Sequence, residues 1–294
     1  MRQRLEVDFN TPMILDGGTG TELTRRGWTI GSCLESWAID HTGIVTEVQR
    51  GFIEAGAGVL LTCTFGANRF RLGAYGQSDQ VAVCNRQLAE VALQSAKTTD
   101  TVIAGDIGPT GERYETMADD GFVAVSKAFQ EQAEALITSG VDLLFIETMV
   151  SLGEAQAALR GCRKAIDILG MSVPIAVCLV FGDDLVTLDQ ADPEEVFSIL
   201  SEEGADAVGC NCTPTGEKMI EIIRRFRASG DLPLIAKPSA GLPEVIDGVA
   251  HYPVSPEQFA NDGLGLRAAG ATWVGGCCGA SPDHIRALST ALNR

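Results

Sequence analysis

A chain of 294 residues, 45% hydrophobic and 21% charged, is long enough to bury a sizeable core. Its formal net charge of −17 argues against nucleic acid or an anionic membrane surface as the main partner. No stretch approaches the roughly 18 apolar residues of a spanning helix, and the opening MRQRLEVDFNTPMILDGG lacks an apolar signal region and a cleavage site, so a cytoplasmic protein is expected.

In chain order, short apolar runs alternate with longer amphipathic segments. The runs are PMILDGG (12–18), GVLLTCTF (58–65), TVIAGDIGP (101–109), DLLFIET (142–148), PIAVCLVF (174–181), ADAVGCNC (205–212), PLIAKPSAG (233–241) and TWVGGCCG (272–279). Continuous rather than alternating apolarity suits strands buried on both faces, as in a parallel sheet. Between them, VAVCNRQLAEVALQSAK (81–97) and SKAFQEQAEALITSG (126–140) read as helices, the second stopped by its glycine. DPEEVFSIL (192–200) and SPDHIRALSTAL (281–292) each open on a capping residue followed by an acidic first turn. Eight strand candidates with intervening helical or loop segments predict an α/β fold, a single (β/α)8 TIM barrel, as one domain over residues 1–294. A doubly wound open sheet would also alternate, but LDGGTGTEL is not a GxGxxG phosphate turn.

The chemistry-bearing residues follow the apolar runs: Asp16, Thr62 and Cys63, Asp106, Glu147, Cys212, Ser239, and Cys277 with Cys278. Strand C-termini of such a barrel open on one face, where its catalytic residues sit, so residues distant in sequence can meet there. Nine cysteines is an odd number in a chain too long to need disulfide staples, and in a reducing compartment clustered thiols point to metal binding or catalysis. The sixth run ends GCNC and the eighth GGCC. Cys277 and Cys278 converge only if the strand breaks into a turn, which Gly275, Gly276 and Gly279 permit. Alternation gives Cys210 and Cys212 the same facing, and Cys212 lies nearer the loop. Three thiolates on one rim make an open zinc site with a fourth position for water or substrate. A vicinal disulfide, a redox pair, or cysteines packed as small hydrophobes are the other readings of the same spacing.

LDGGTGTEL, TCTFGAN, GDIGPTG, FIET, GCNC and GGCCG, in this order over essentially the whole chain, resemble the homocysteine S-methyltransferase family. The resemblance implies a (β/α)8 barrel that carries Zn2+ and methylates the thiol of homocysteine to give methionine. It implies zinc ligands Cys212, Cys277 and Cys278, with Cys210 left to packing. It also implies that Asp16, Gly17, Gly18 and Thr62 contact the substrate, with Glu147 and Asp16 near its ammonium. A free thiol is mostly protonated at neutral pH, and coordination makes it give up its proton.

The methyl donor divides the family. GDIGPTGE and KPSAG are most similar to the cobalamin-dependent branch, in which the second motif reads PNAG; Ser239 replaces the asparagine here. Trp37 in LESWAID resembles a tryptophan that onium-using members place at the donor, where an aromatic face attracts a cationic methyl group. The second aromatic expected in betaine enzymes is Gly66 in this chain. The expected donor is therefore an onium or other small methylated compound; the alternative is a corrinoid or folate carrier on a separate protein. A zinc-storage or redox protein using the same thiols is the reading from a different class. A metal-free aldolase with Lys237 as its Schiff-base residue is a third.

Overall fold

The computed structural model describes residues 4–112, 119–214, 216–246 and 249–293. Eight parallel strands form its sheet: β1 (Met13–Ile14), β2 (Val59–Leu61), β3 (Val102–Ile107), β4 (Leu143–Met149), β5 (Ile175–Leu179), β6 (Ala207–Pro214), β7 (Leu234–Ser239) and, after a small hairpin of β8 (Glu244–Ile246) and β9 (Val249–His251), β10 (Trp273–Val274). Neighbours run β1-β10-β7-β6-β5-β4-β3-β2, and a parallel bridge between Leu15 and Val59 joins the two ends. The expected (β/α)8 barrel is the observed fold. Its first and last strands are only two residues long; β10 runs directly into Gly275 and Gly276, and β1 reaches Gly17 and Gly18 after Leu15 and Asp16.

The helices wrap the sheet in chain order. α1 (Thr19–Arg25), α2 (Leu34–Asp40) and α3 (Thr42–Glu54) precede β2, and α4 (Arg69–Gly73) and α5 (Val81–Ser95) precede β3. Thereafter α6 (Asp119–Ser139), α7 (Leu152–Leu169), α8 (Pro193–Glu202), α9 (Glu217–Ser229), α10 (Pro256–Ala269) and α11 (Pro282–Leu292) alternate with the strands. Their ends follow local rules. Asp192 accepts a hydrogen bond from the Glu195 N–H at the start of α8, and Ser281 and His284 form a reciprocal cap on α11. No helix among the described residues is long and apolar enough to cross a membrane.

Strand alternation divides the core into two layers. Leu15, Val59, Leu61, Val102, Ala104, Leu143, Phe145, Ala176, Cys178, Ala207, Ile235 and Trp273 fill the barrel interior. Residues of opposite parity, such as Ile103, Leu144, Val177, Val208 and Cys210, pack outward against the helices. At the N-terminal end of the strands, Phe9 lies 4.6 Å from the Trp273 ring, whose Nε1 donates to the Thr11 carbonyl. The chain preceding β1 thus plugs the floor and leaves the opposite end as the place for a site.

Candidate active site

The thiol side of the mouth depends on departures from regular strand geometry. Cys210 is fully buried and faces the helices, and an undisturbed β6 would send Cys212 the same way. Instead the register of β6 against β7 shifts between Asn211 and Pro214, and Cys212 adopts a left-handed φ of 54°. That conformation costs a non-glycine residue on the order of 1 kcal/mol and turns the side chain into the mouth. Cys63 and Thr148, which also line the mouth, have φ of 61° and 62°.

Beyond β10 the chain breaks into a turn in which Ala280 N–H donates to the Cys277 carbonyl, with Gly279 at φ 80°. Cys277 N–H donates to the Pro238 carbonyl and Ala240 N–H to the Cys278 carbonyl, which clamp the turn to β7. A Cβ on Gly18 would lie 2.7 Å from the Cys277 carbonyl oxygen, so the first loop meets the thiol turn only as glycine. The sulfurs of Cys212, Cys277 and Cys278 all lie within 4.8 Å of one another, with Cys212 to Cys278 at 3.7 Å. Tetrahedral ligation at about 2.3 Å per Zn–S bond requires sulfurs roughly 3.8 Å apart, so this donor set fits such an ion. Hydrogen bonds from Cys212 and Cys277 pull the Cys278 thiol below an ordinary thiol, while the contacts with Cys277 and Cys278 raise Cys212 above one. The trio carries one negative charge readily and further ones only beside a cation.

The opposite side obeys alternation. Asp106, Glu147 and Lys237 continue the inward-facing series Ala104, Phe145 and Ile235 on their strands. Lys237 is 2% exposed; its Nζ lies 2.8 Å from Glu147 Oε2, 3.7 Å from Asp16 Oδ1 and 5.1 Å from the centre of the Phe145 ring. Burial pulls the Lys237 ammonium down, but Glu147 and Asp16 outweigh it and hold its pKa above the ordinary lysine value. Burial raises Asp16 to about 6, against the opposing pull of Lys237, and raises Asp106 and Glu147 as well. Asp16 Oδ2 accepts from the Leu61 N–H at 2.8 Å. Asn211 joins the two sides: its Oδ1 accepts from the Thr148 N–H, and its Nδ2 lies 2.7 Å from Thr148 Oγ1, 3.4 Å from Glu147 Oε2 and 3.8 Å from Cys277 Sγ.

A cavity of about 420 Å³ opens over this arrangement, within the range of small-molecule sites. Asp16, Gly17, Gly18, Glu147, Cys212, Cys277 and Cys278 all line it, together with Asp106 and Lys237. Gly18 N–H donates to the Ala280 carbonyl and so is not open to an anion. Two expected contacts fall elsewhere. Thr62 has the outward parity of β2 and is fully buried; its hydroxyl pairs with Thr64 and accepts from the Asp106 N–H, so it braces two strands rather than lining the cavity. Trp37 packs its half-buried ring on His41, at 4.2 Å between centroids, and is not among the cavity-lining residues, whereas Leu34 and Glu35 of α2 are. Trp28, Phe65 and Tyr75 are the aromatic lining residues instead. Gly66 leaves no space for an aromatic: a Cβ there would sit 2.8 Å from Glu35 Oε1, which accepts the Gly66 N–H. Ser239 Oγ stands 4.0 Å from Cys212 Sγ. Sequence reasoning gave Asn211 no role and treated Lys237 only as a Schiff-base alternative. A charged residue inside the run PLIAKPSAG was the available signal for the lysine.

Comparison with known proteins bears on the family and the fold. The methionine synthases of Mycobacterium leprae and Mycobacterium tuberculosis are 29% and 27% identical over 99% and 98% of the chain. The chain spans about a quarter of the length of those curated relatives (25% of each). Among solved structures, the homocysteine methyltransferase MmuM of Escherichia coli shares the fold. Its metallated form matches with a TM-score of 0.74 at 23% identity, covering 95% of this chain and 96% of that one. Its oxidized form matches with a TM-score of 0.80 at 22% identity, covering 96% of each. The sequence model of the family described as homocysteine S-methyltransferase matches residues 13–292, and the chain belongs to that family.

Proposed function

We propose that this chain transfers a methyl group to the thiol of homocysteine, giving methionine, at a zinc ion held by Cys212, Cys277 and Cys278. The observation that carries the reading is the gathering of these three sulfurs within 4.8 Å at the rim of a cavity that also holds Asp16, Glu147 and Lys237. Zinc bound there would take the acceptor sulfur as a thiolate and leave it nucleophilic, because three cysteine ligands make the ion weakly Lewis acidic. The existence of a metallated form of MmuM supports the same assignment. The protein's own part is alignment. Asp16 and Glu147 bias the amino-acid end of the acceptor toward the floor of the cavity, and the clamped turn keeps the thiols facing the open side. One S–C bond forms, the donor's bond to its methyl carbon breaks, and the thiol proton leaves to solvent.

For the donor we favour a small onium compound. Trp28, Phe65 and Tyr75 line the cavity, and aromatic faces attract a cationic methyl group. A second reading, in which a separate corrinoid protein or folate carrier delivers the methyl group, is favoured by the match to about a quarter of two longer methionine synthases.

The test is metal content of reduced protein, for wild type and Cys277→Ala, with methionine formation from homocysteine and a panel of onium, methylfolate and methyl-corrinoid donors. About one zinc per chain, lost together with activity in the variant, is the expected result. Wild-type protein that binds no zinc and forms no methionine with any donor would overturn the reading.

A further inference from the structure

The lining of the cavity divides by where it comes from in the barrel. The thiols belong to β6 and the turn after β10, whereas Trp28 belongs to the connection after β1, and Phe65, Arg71 and Tyr75 to the one after β2. In the ring of eight strands β2 stands opposite β6. In-line displacement puts the leaving atom on the far side of the methyl carbon from the attacking sulfur, and so away from the thiols that hold that sulfur. The connections after β1 and β2 are therefore the donor's side.

The charges around the cavity leave one cation without a partner. The acidic lining residues are Asp16, Glu35, Asp106 and Glu147, and the basic ones are Lys237 and Arg71. Lys237 is held by Glu147 at 2.8 Å. Glu35 Oε1 accepts the Gly66 N–H at 2.7 Å, and Cys33 Sγ approaches Oε2 at 3.6 Å. Burial raises the Glu35 carboxyl; Arg71 opposes this through space, with no ion pair between them. Asp106 Oδ1 has no hydrogen-bond partner among the described residues, so the surroundings of an onium centre stay negative. Arg71 is different. Its backbone N–H donates to the Asn68 side chain that caps α4, but its exposed guanidinium makes no hydrogen bond or ion pair among the described residues. It lies over Gly111, where a Cβ would come within 3.1 Å of Nη1. Trp28 adds a second unused donor, since its Nε1 is buried with no acceptor. Two unpaired donors in one cavity, one of them charged, call for a ligand anion. In a cavity of about 420 Å³ that also takes the acceptor, a carboxylate is a small anion that matches the planar guanidinium fork.

We propose that Arg71 is a specificity residue that binds a carboxylate on the methyl donor, so that the chain takes zwitterionic onium compounds in preference to simple cations. This rests on the reading of the donor as an onium. The aromatic rings face the cationic methyl end, and Arg71 holds the anionic tail. The acceptor sulfur gains the methyl group, the donor's bond to that carbon breaks, and its electron pair stays on the departing carboxylated molecule.

The experiment measures methionine formation by reduced, zinc-loaded wild type and Arg71→Gln at saturating homocysteine. The probes are two matched pairs: dimethylsulfonioacetate with trimethylsulfonium, and 3-dimethylsulfoniopropanoate with ethyldimethylsulfonium. The second member of each lacks only the carboxylate. In the variant the KM of the carboxylated donors should rise about 5–50-fold with kcat moving less, because a partly hydrated guanidinium delivers less than a full charged hydrogen bond. The KM of the simple cations should stay within about threefold. Arg71→Lys, which keeps the charge, should recover part of the loss. A KM unchanged for all four probes, or raised equally within each pair, would overturn the assignment of Arg71 while leaving the onium reading intact. A raised KM for homocysteine with none for the donors would overturn it too, by giving Arg71 to the acceptor. A wild type that forms methionine from none of the four would overturn the onium reading, and this proposal with it.

Discussion

The two sides of the barrel mouth are built by opposite means. Asp106, Glu147 and Lys237 occupy ordinary inward positions on β3, β4 and β7, placed by the same alternation that packs the interior below them. The thiols owe their place to exceptions: a register shift and left-handed φ at Cys212, and a glycine-bounded turn carrying Cys277 and Cys278. Charges that must be held apart from water are fixed to the rigid wall. The sulfurs, which on the proposed reading adapt to an ion and a substrate, sit on the strand ends and turn, where the backbone is not committed to the ladder. If this division is right, damage to the wall should appear as lost stability and damage to the turns as lost metal.

Lys237→Met tests the wall and should have the largest effect. Breaking a buried ion pair from one side costs about 3–5 kcal/mol, so the thermal midpoint should fall by roughly 6–20 °C. A midpoint unchanged within a couple of degrees would mean that Glu147 and Asp16 simply take up protons, and the contrast between the two sides would collapse. Asn211→Ala tests the link between them. Asn211 reaches Cys277 and holds Thr148 from both ends. Zinc affinity, read by chelator competition, should fall about 10–100-fold while the midpoint moves little. Unchanged affinity would make the thiol side self-sufficient.

The pH profile sharpens the comparison more gently. Burial raises Asp16 to about 6, so its carboxylate is lost as pH falls through that value, whereas the acceptor amine stays protonated throughout. The acceptor KM should rise by about tenfold per unit below pH 6 and stay flat above it. A flat profile down to pH 5 would show that the ammonium is not read by Asp16. Smallest of all, Trp37→Ala should change the KM for an onium donor by less than about twofold, because the ring stacks on His41. Trp28→Ala, at the cavity, should raise it roughly 3–30-fold. The reverse outcome would restore Trp37 to the donor site.

Much of this was legible beforehand, and the misses have physical causes. The eight apolar runs correspond to the eight barrel strands, since strands buried on both faces need continuous apolarity. The hairpin of β8 and β9 and the short helices α1, α2 and α4 carried no comparable periodic signal. Thr62 lies in the wall rather than in the cavity lining because parity sends it there, a fact available from the sequence once Leu61 is placed inside. Trp37 stands on His41 and not among the lining residues for a different reason: which face of α2 looks at the mouth depends on how that helix lies, and no spacing encodes it.

The sequence by itself determined the barrel, the rim as the place of chemistry, and the residue types gathered there, because periodicity and strand-end position are properties of the chain alone. Only the tertiary structure decided that Cys212 rather than Cys210 faces the mouth, since a single left-handed residue overrides alternation. Only it brought Lys237 onto Glu147 across 90 residues and left the Asp106 oxygen without a partner. Pairing between strands distant in sequence is settled by register and packing in three dimensions, and which buried charge finds which partner follows from that.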